Sequence, residues 1–310
     1  MDILPVLFYD ALVLQLNELS ISAGRQLSGF FGEIAADFFE NALTRGVSLK
    51  DGIFRDRAYR HSFGGARDVP ESKIRELSRK HDWSTWVFLD AGSDEYSVAR
   101  EALVNLSAAA NSKPVTLSLR TSYMPQELEK WLESVQFCIF LEVHSNVPQV
   151  PEALVKKRTL YSIYLRGNHK ISSERADVLV ALLPQKQFFI AHICGFSESS
   201  WAKLLAAWAE NASAMAGKAI WCEETYEEEA ALDFGFRECT EEEESSFGFY
   251  YPRFKQFLSR PPPSSLWSVF AYFMGAPSNA LILKSEGGDA AIYCFLNATG
   301  KSFRTLFVFV

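Results

Sequence analysis

The sequence predicts an α/β fold: an irregular β–α solenoid with a helical unit at its N-terminus and a β-rich cap at its C-terminus. Three observations predict it. From Trp86 onward, short β-type runs alternate with helix-type runs. The strand anchors Val87, Leu117, Ile139, Ile163, Ile190 and Ile220 recur at steps of 30, 22, 24, 27 and 30 residues. Beyond a stiff "RPPPSS" connector, the chain reads as a hairpin followed by a last, very apolar strand. With 310 residues, 48% of them hydrophobic and 22% charged, the chain can bury a sizeable core.

The chain opens with "MDILPVLFYDALVLQL", which is apolar almost throughout. Its first charge is Asp2 and no Lys or Arg precedes Arg25, unlike a secretory leader. The run from Ile3 to Leu16 holds Asp10 and is shorter than the roughly twenty apolar residues a bilayer needs. A soluble helix is the remaining reading. Pro5 suits its first turn, where a missing N–H is no loss. Apolar residues cover nearly the whole circumference, so more than one side needs cover. In "LSGFFGEIAADFFENAL", Phe30, Phe31, Ile34, Phe38, Phe39 and Leu43 follow helical spacing. Residues 1–46 are therefore expected to form a helical unit. Residues 47–85 read as a connector, with a hairpin turn at Asp51-Gly52 and a loop over "SFGGARDVPESK".

Residues 86–244 hold the repeats. The strands read "WVFLDAG", "PVTLSLRT", "FCIFLEV", "LYSIYLR", "FFIAHI" and "KAIWCEE". Helices between them read "DEYSVAREALVNLSAAA", "PQELEKWLESV", "PEALVKK", "SSERADVLVALLP" and "SESSWAKLLAAWAENAS". A β–α unit recurring every 20–30 residues or so is the signature of a leucine-rich-repeat-like solenoid. A doubly wound domain also alternates strands and helices. Short steps and the lack of a Gly-rich loop after any strand favour one-sided stacking. Residues 245–310 are expected to form the β-rich cap, with a hairpin around Gly287-Gly288 and "FRTLFVFV" as a closing strand that must be paired.

Side chains alternate across a strand. Val87/Leu89, Leu117/Leu119, Ile139/Leu141 and Ile163/Leu165 are placed beneath the helices. The opposite face then carries a mostly aromatic column of Phe88, Ser118, Phe140, Tyr164 and Trp221. Beside it runs a charged column of Asp90, Arg120, Glu142, Arg166 and Glu223. The phase of "FFIAHI" leaves His192 on either face. Phe88, Arg120, Phe140, Glu142, Tyr164, Arg166 and Trp221 are the candidates for partner binding, because Tyr, Trp and Arg are enriched in interfaces. The same residues also read as cross-strand ion pairs and aromatics packed beneath the cap.

The net charge is −7, and the stretch from Glu223 to Glu244 alone holds eleven acidic residues against Arg237. No basic stripe points to nucleic acid. Five cysteines, odd in number and widely spaced, suit reduced thiols in an intracellular protein, cytoplasmic or nuclear. No nucleotide, hydrolase or zinc signature occurs, and His61, His81, His144, His169 and His192 are scattered singly. No catalytic residue, metal site or cofactor is expected, and no membrane partner.

A helical N-terminal unit opening on Leu-Pro, then "LSGFFGEIAADFFENALTR", then β–α repeats, resembles the F-box/leucine-rich-repeat arrangement. More narrowly, the chain resembles the divergent F-box-like proteins of nematodes. The resemblance implies that Leu4, Pro5, Phe8 and Leu12 dock a Skp-type adaptor of a cullin-type ubiquitin ligase, while the repeats hold a protein substrate. The acidic-leucine turn expected after the first helix is replaced by "NELSISAGRQLSGFF", so the opening helix also reads as a cap on the first repeat. The expected function is a non-enzymatic protein-interaction module. The alternatives are an α/β enzyme with a site at the strand ends, or a structural repeat protein without a specific ligand.

Overall fold

The computed structural model describes residues 23–41, 43–62, 65–69, 82–90, 98–110, 115–136, 138–145, 147, 149–167, 170–223, 232–243, 279–299 and 302–310. Helix α1 (Phe30–Asn41) precedes strand β1 (Leu43–Lys50), so strand begins inside the stretch expected to be helical. Asp51 and Gly52 both adopt left-handed backbone, with φ of 49° and 79°, as a two-residue hairpin turn requires. They join β1 to β2 (Ile53–Ser62), paired antiparallel from Lys50↔Ile53 to Leu43↔Arg60. The expected loop is in part a third strand. β2 runs on to Ser62 and β3 (Gly65–Asp68) pairs back onto it from Ser62↔Gly65.

The hairpin is not a separate connector. β1 pairs in parallel with β4 (Asp82–Asp90), Val47 lying beside Val87 and Leu49 beside Leu89. Five β–α units follow. Their helices are α2 (Arg100–Ala110), α3 (Gln126–Ser134), α4 (Glu152–Lys156), α5 (Ser173–Leu182) and α6 (Glu198–Met215). Their strands are β5 (Val115–Leu119), β6 (Cys138–Val143), β7 (Ser162–Leu165), β8 (Ile190–Ile193) and β9 (Ala219–Cys222). From β4 to β9 every strand is parallel to its neighbour, and the spatial order is the chain order.

The C-terminal strands extend the same sheet. β11 (Asn279–Lys284), β12 (Ala291–Thr299) and β13 (Ser302–Phe309) form an antiparallel meander, and β13 lies antiparallel to β9. With the short β10 (Arg237–Glu238) the described residues make one thirteen-stranded open sheet. Both edges, β3 and β10, are short and carry charges, which discourages edge-to-edge pairing. Arg237 holds Glu243 in a two-pronged ion pair at 2.7 and 2.9 Å, and Lys284 adds a contact at 2.7 Å.

Helices α2–α6 share one face of the sheet. Leu106, Trp131, Leu154, Leu179 and Trp201 pack there with Val87, Leu89, Leu117, Leu141, Ile163, Ala191 and Ile220. Ser172 and Ser197 cap α5 and α6, Ser197 within a capping box with Ser200. A second apolar cluster lies on the opposite face and is built almost wholly of strand residues, among them Phe140, Ile190, Trp221, Tyr293, Phe295 and Leu306.

One polar device recurs between units. A long side chain reaches back one unit and bonds carbonyls near the end of the preceding helix. Lys157 donates to the carbonyls of Leu132, Glu133 and Val135. Gln185 donates to Val155, and Lys218 donates to Gln185, Lys186 and Phe188. Helix C-termini leave carbonyls without intrahelical donors, and these side chains supply them. Arg175 reaches back instead to the segment between β6 and α4, donating to the carbonyls of His144 and Val147 at 2.9 and 3.1 Å. Among the described residues, no helix is long and apolar enough to cross a membrane.

Candidate functional site

The backbone ladder continues one residue past the parallel strands. Arg120 N–H donates to Leu89, His144 to Leu119, Arg166 to Val143 and Glu223 to Ile193, at 2.8 to 3.0 Å. This fixes two rows on the helix-free face at the C-terminal strand ends. One row runs Phe88, Ser118, Glu142, Tyr164, His192, Trp221. The row beyond it holds Asp90, Arg120, His144, Arg166, Cys194 and Glu223 at the next position on the same face.

These rows differ from the expected columns at β6. Val115 pairs with Cys138 but Thr116 pairs with Phe140, leaving Ile139 as an irregularity. Leu117 therefore faces Leu141 and not Ile139, and Ile139, expected beneath the helices, is 38% exposed. Glu142 moves into the row assigned to aromatics, and Phe140 falls one position nearer the N-terminal strand ends. Phe140 and Trp221, expected on the accessible face, are each only 2% exposed within the second apolar cluster. Phe88, Arg120 and Tyr164 are partly accessible and Arg166 is exposed. Leu4, Pro5, Phe8 and Leu12 lie outside the described residues.

Two carboxylates organise the rows. Glu142, 8% exposed, accepts from Ser118 Oγ at 2.6 Å and Arg166 Nη1 at 3.3 Å. His144 Nε2 lies 3.3 Å and Arg120 Nη2 3.7 Å from the same carboxylate. Arg120 also donates to Ser118 and lies over the Phe88 ring at 5.4 Å, while Arg166 lies 5.8 Å from the Tyr164 ring centre. Burial holds His144 below its ordinary value; Glu142 opposes this, and the two guanidinium groups reinforce it.

The second node is Glu223. It accepts from Tyr164 Oη at 2.8 Å, and His192 Nε2 lies 3.2 Å away. Cys194 Sγ is 3.6 Å from its other oxygen. His192 is 5% exposed and sandwiched between Tyr164 and Trp221, with ring centres at 3.9 and 4.0 Å. The His192 contact, then the Tyr164 hydroxyl, pull the Glu223 carboxyl down to about 2 against the opposing effect of burial. Burial first, and then the bond to Glu223, push the Tyr164 hydroxyl above the ordinary phenol range.

A depressed carboxyl stabilises the fold above its unfolded value, near 4.5, and loses that contribution as pH falls through about 2. Between these limits Glu223→Gln is expected to flatten the fall of the urea midpoint with pH. Parallel acid limbs for wild type and variant would show that the node contributes nothing. Glu223 is 39% exposed, so solvent screening keeps the effect small.

Sequence reasoning missed Cys194 and left His192 unplaced. Its apolar neighbours "FFI" and "I" give no alternation, and only pairing with β7 and β9 sets its face. His144 was legible as following a strand but not as a neighbour of Glu142. Compared with known proteins, the chain matches no family model, no curated protein and no solved structure.

Proposed function

We propose that the chain is a non-enzymatic protein-interaction module, a β–α solenoid of leucine-rich-repeat type that binds a protein partner on its helix-free face. The observation that carries this reading is the accessible trio of Arg120, Tyr164 and Arg166, held on a hydrogen-bonded ladder by Glu142 and Glu223. Pre-ordered Arg and Tyr side chains lose little freedom on binding, which is why they dominate interfaces. In-order parallel strands and the side chains that bond back one unit support the solenoid. Cys138, Cys222 and Cys294 are buried and form no disulfide, which suits a reducing, cytoplasmic or nuclear setting, and burial pushes Cys138 up to about 12.

Tyr164→Ala with Arg166→Ala should weaken partner capture about tenfold or more while shifting the melting temperature little. A collapse of stability in that variant would make the trio a structural element instead. By the resemblance, Leu4, Pro5, Phe8 and Leu12 dock a Skp-type adaptor, and the chain then serves as a substrate-recognition subunit of a cullin-type ubiquitin ligase. The intact chain should retain a purified Skp-type adaptor on a column and Phe8→Ala/Leu12→Ala should not. Equal retention, or none by either, would overturn the adaptor-docking reading of Leu4, Pro5, Phe8 and Leu12.

A second reading, an enzyme with its site at the strand ends, is favoured by Tyr164, His192, Cys194 and Glu223 meeting at one point. Native mass spectrometry finding a small molecule lost in Glu223→Gln would support it over the module.

A further inference from the structure

The helix-free face is not uniform in charge. Val47, Leu49 and Phe54 pack toward the helices, so Lys50 of β1 and Ile53, Arg55 and Arg57 of β2 point to the other side. All four are exposed. Arg55 lies beside Ser48, and Ser48 beside Phe88, while Lys50 lies beside Asp90. The two rows at the strand ends therefore continue leftward onto β1 and β2. Among the described side chains of β2, β1 and β4–β7 this face holds five cations, Lys50, Arg55, Arg57, Arg120 and Arg166. Against them stand two carboxylates, Asp90 and Glu142, an excess of three positive charges in a chain whose net charge is −7. Small residues lie between the cations, namely Gly46, Ser48, Thr116, Ser118 and Ser162. Trp86 and Phe88, stacked at 5.9 Å, and Tyr164 offer ring surface within the same area.

From this arrangement we infer that the partner presents an acidic peptide segment, laid across the helix-free face from β2 to β7. The inference rests on the interaction-module reading and names the chemistry of the partner. Charge complementarity selects an anionic occupant, because this face carries a positive excess in a chain whose acidic excess is concentrated in the stretch from Glu223 to Glu244. An excess of three is too small to hold a long phosphate backbone at physiological salt, which needs several neutralised phosphates, and Asp90 and Glu142 would repel it. An extended peptide whose protein-facing side chains, every second residue, include both acidic and apolar ones meets both features. Its carboxylates pair with Arg55, Arg57, Arg120 and Arg166 while its apolar side chains cover Ile53, Trp86 and Phe88. Six strands spaced at about 4.8 Å span about 24 Å, the reach of about eight extended residues at roughly 3.3 Å each.

The test is fluorescence anisotropy of the full chain with a fluorescein-labelled peptide of about eight residues in which Glu-Glu and Leu-Leu pairs alternate, so that each face of the extended peptide carries both. The same peptide with Gln for Glu, and a single-stranded oligothymidylate of similar length, serve as comparisons. The expected result is binding of the Glu peptide that weakens about tenfold in Arg55→Glu/Arg57→Glu and several-fold between about 50 and 300 mM salt. Arg55→Gln/Arg57→Gln, which adds no charge, should give an intermediate loss and guards against misfolding of the reversed variant. Equal affinity for the Gln peptide, indifference to both arginine variants, or tighter binding of the oligothymidylate would overturn the inference. A protein captured through Tyr164 and Arg166 but unaffected by Arg55→Glu/Arg57→Glu would keep the module and overturn the acidic partner. Capture that survives both pairs of substitutions would overturn both.

Discussion

Trp201→Ala is expected to destabilise the chain by about 3–5 kcal/mol, measured as the loss in unfolding free energy in urea at neutral pH. Trp201 is 2% exposed and joins three parts of the chain. It extends from α6 toward Phe307 of β13 at 4.8 Å, Phe196 before α6 at 5.0 Å, and Phe234 and Phe236 at 5.7 and 6.0 Å. Its ring thus adds side-chain packing to the β9–β13 pairing that joins the last β–α unit to the C-terminal meander. Removing it leaves a cavity bounded by four aromatic rings on three segments of the chain, which cannot all collapse inward. Trp201→Phe should cost distinctly less. A loss below about 1 kcal/mol for the alanine variant would mean that the meander is held by strand pairing alone.

Glu142→Leu is expected to cost about 2–3 kcal/mol and to raise the sensitivity of stability to salt. Its carboxylate is the acceptor that Ser118 and Arg166 share, with Arg120 and His144 beside it. Without it, two guanidinium groups face each other across β6 with no counter-charge between them. Removing one partner of a fully buried pair costs more, roughly 3–5 kcal/mol, but Arg120 and Arg166 are 37% and 50% exposed and water compensates them in part. Glu142→Gln keeps the shape and should fall between. A Glu142→Leu protein as stable as wild type would show that the node is solvated and does not order the arginines.

Elements of the fold that depend on neighbouring residues were legible. Val87/Leu89 and Leu117/Leu119 announce strands by period-two alternation, and both pairs lie beneath the helices. Asp51-Gly52 announces a turn because few other dipeptides tolerate two left-handed residues. The helix-type runs "SSERADVLVALLP" and "SESSWAKLLAAWAENAS" contain α5 and α6. Ile139 shows where such reasoning stops. Nothing in "CIFLEV" signals that one residue is spare when the strand lies against β5, and that spare residue shifts Phe140 and Glu142 relative to every other strand. Phe140 and Trp221 mark a second limit. Alternation gives the face of a side chain but not whether that face is covered, so an open binding face and aromatics packed beneath the cap were both compatible with the sequence, and both residues are buried.

By itself the sequence determined the alternation of strands and helices, their approximate limits and the apolar side of most strands, because each follows from the chemistry of residues a few positions apart. Only the tertiary structure decided that β1 enters the parallel sheet beside β4, that β13 closes onto β9, and that Glu142 meets Arg166 while His192 meets Glu223. Those pairings join residues distant in the chain. Their register is chosen by the packing of whole strands, a collective energy that no short stretch of residues contains.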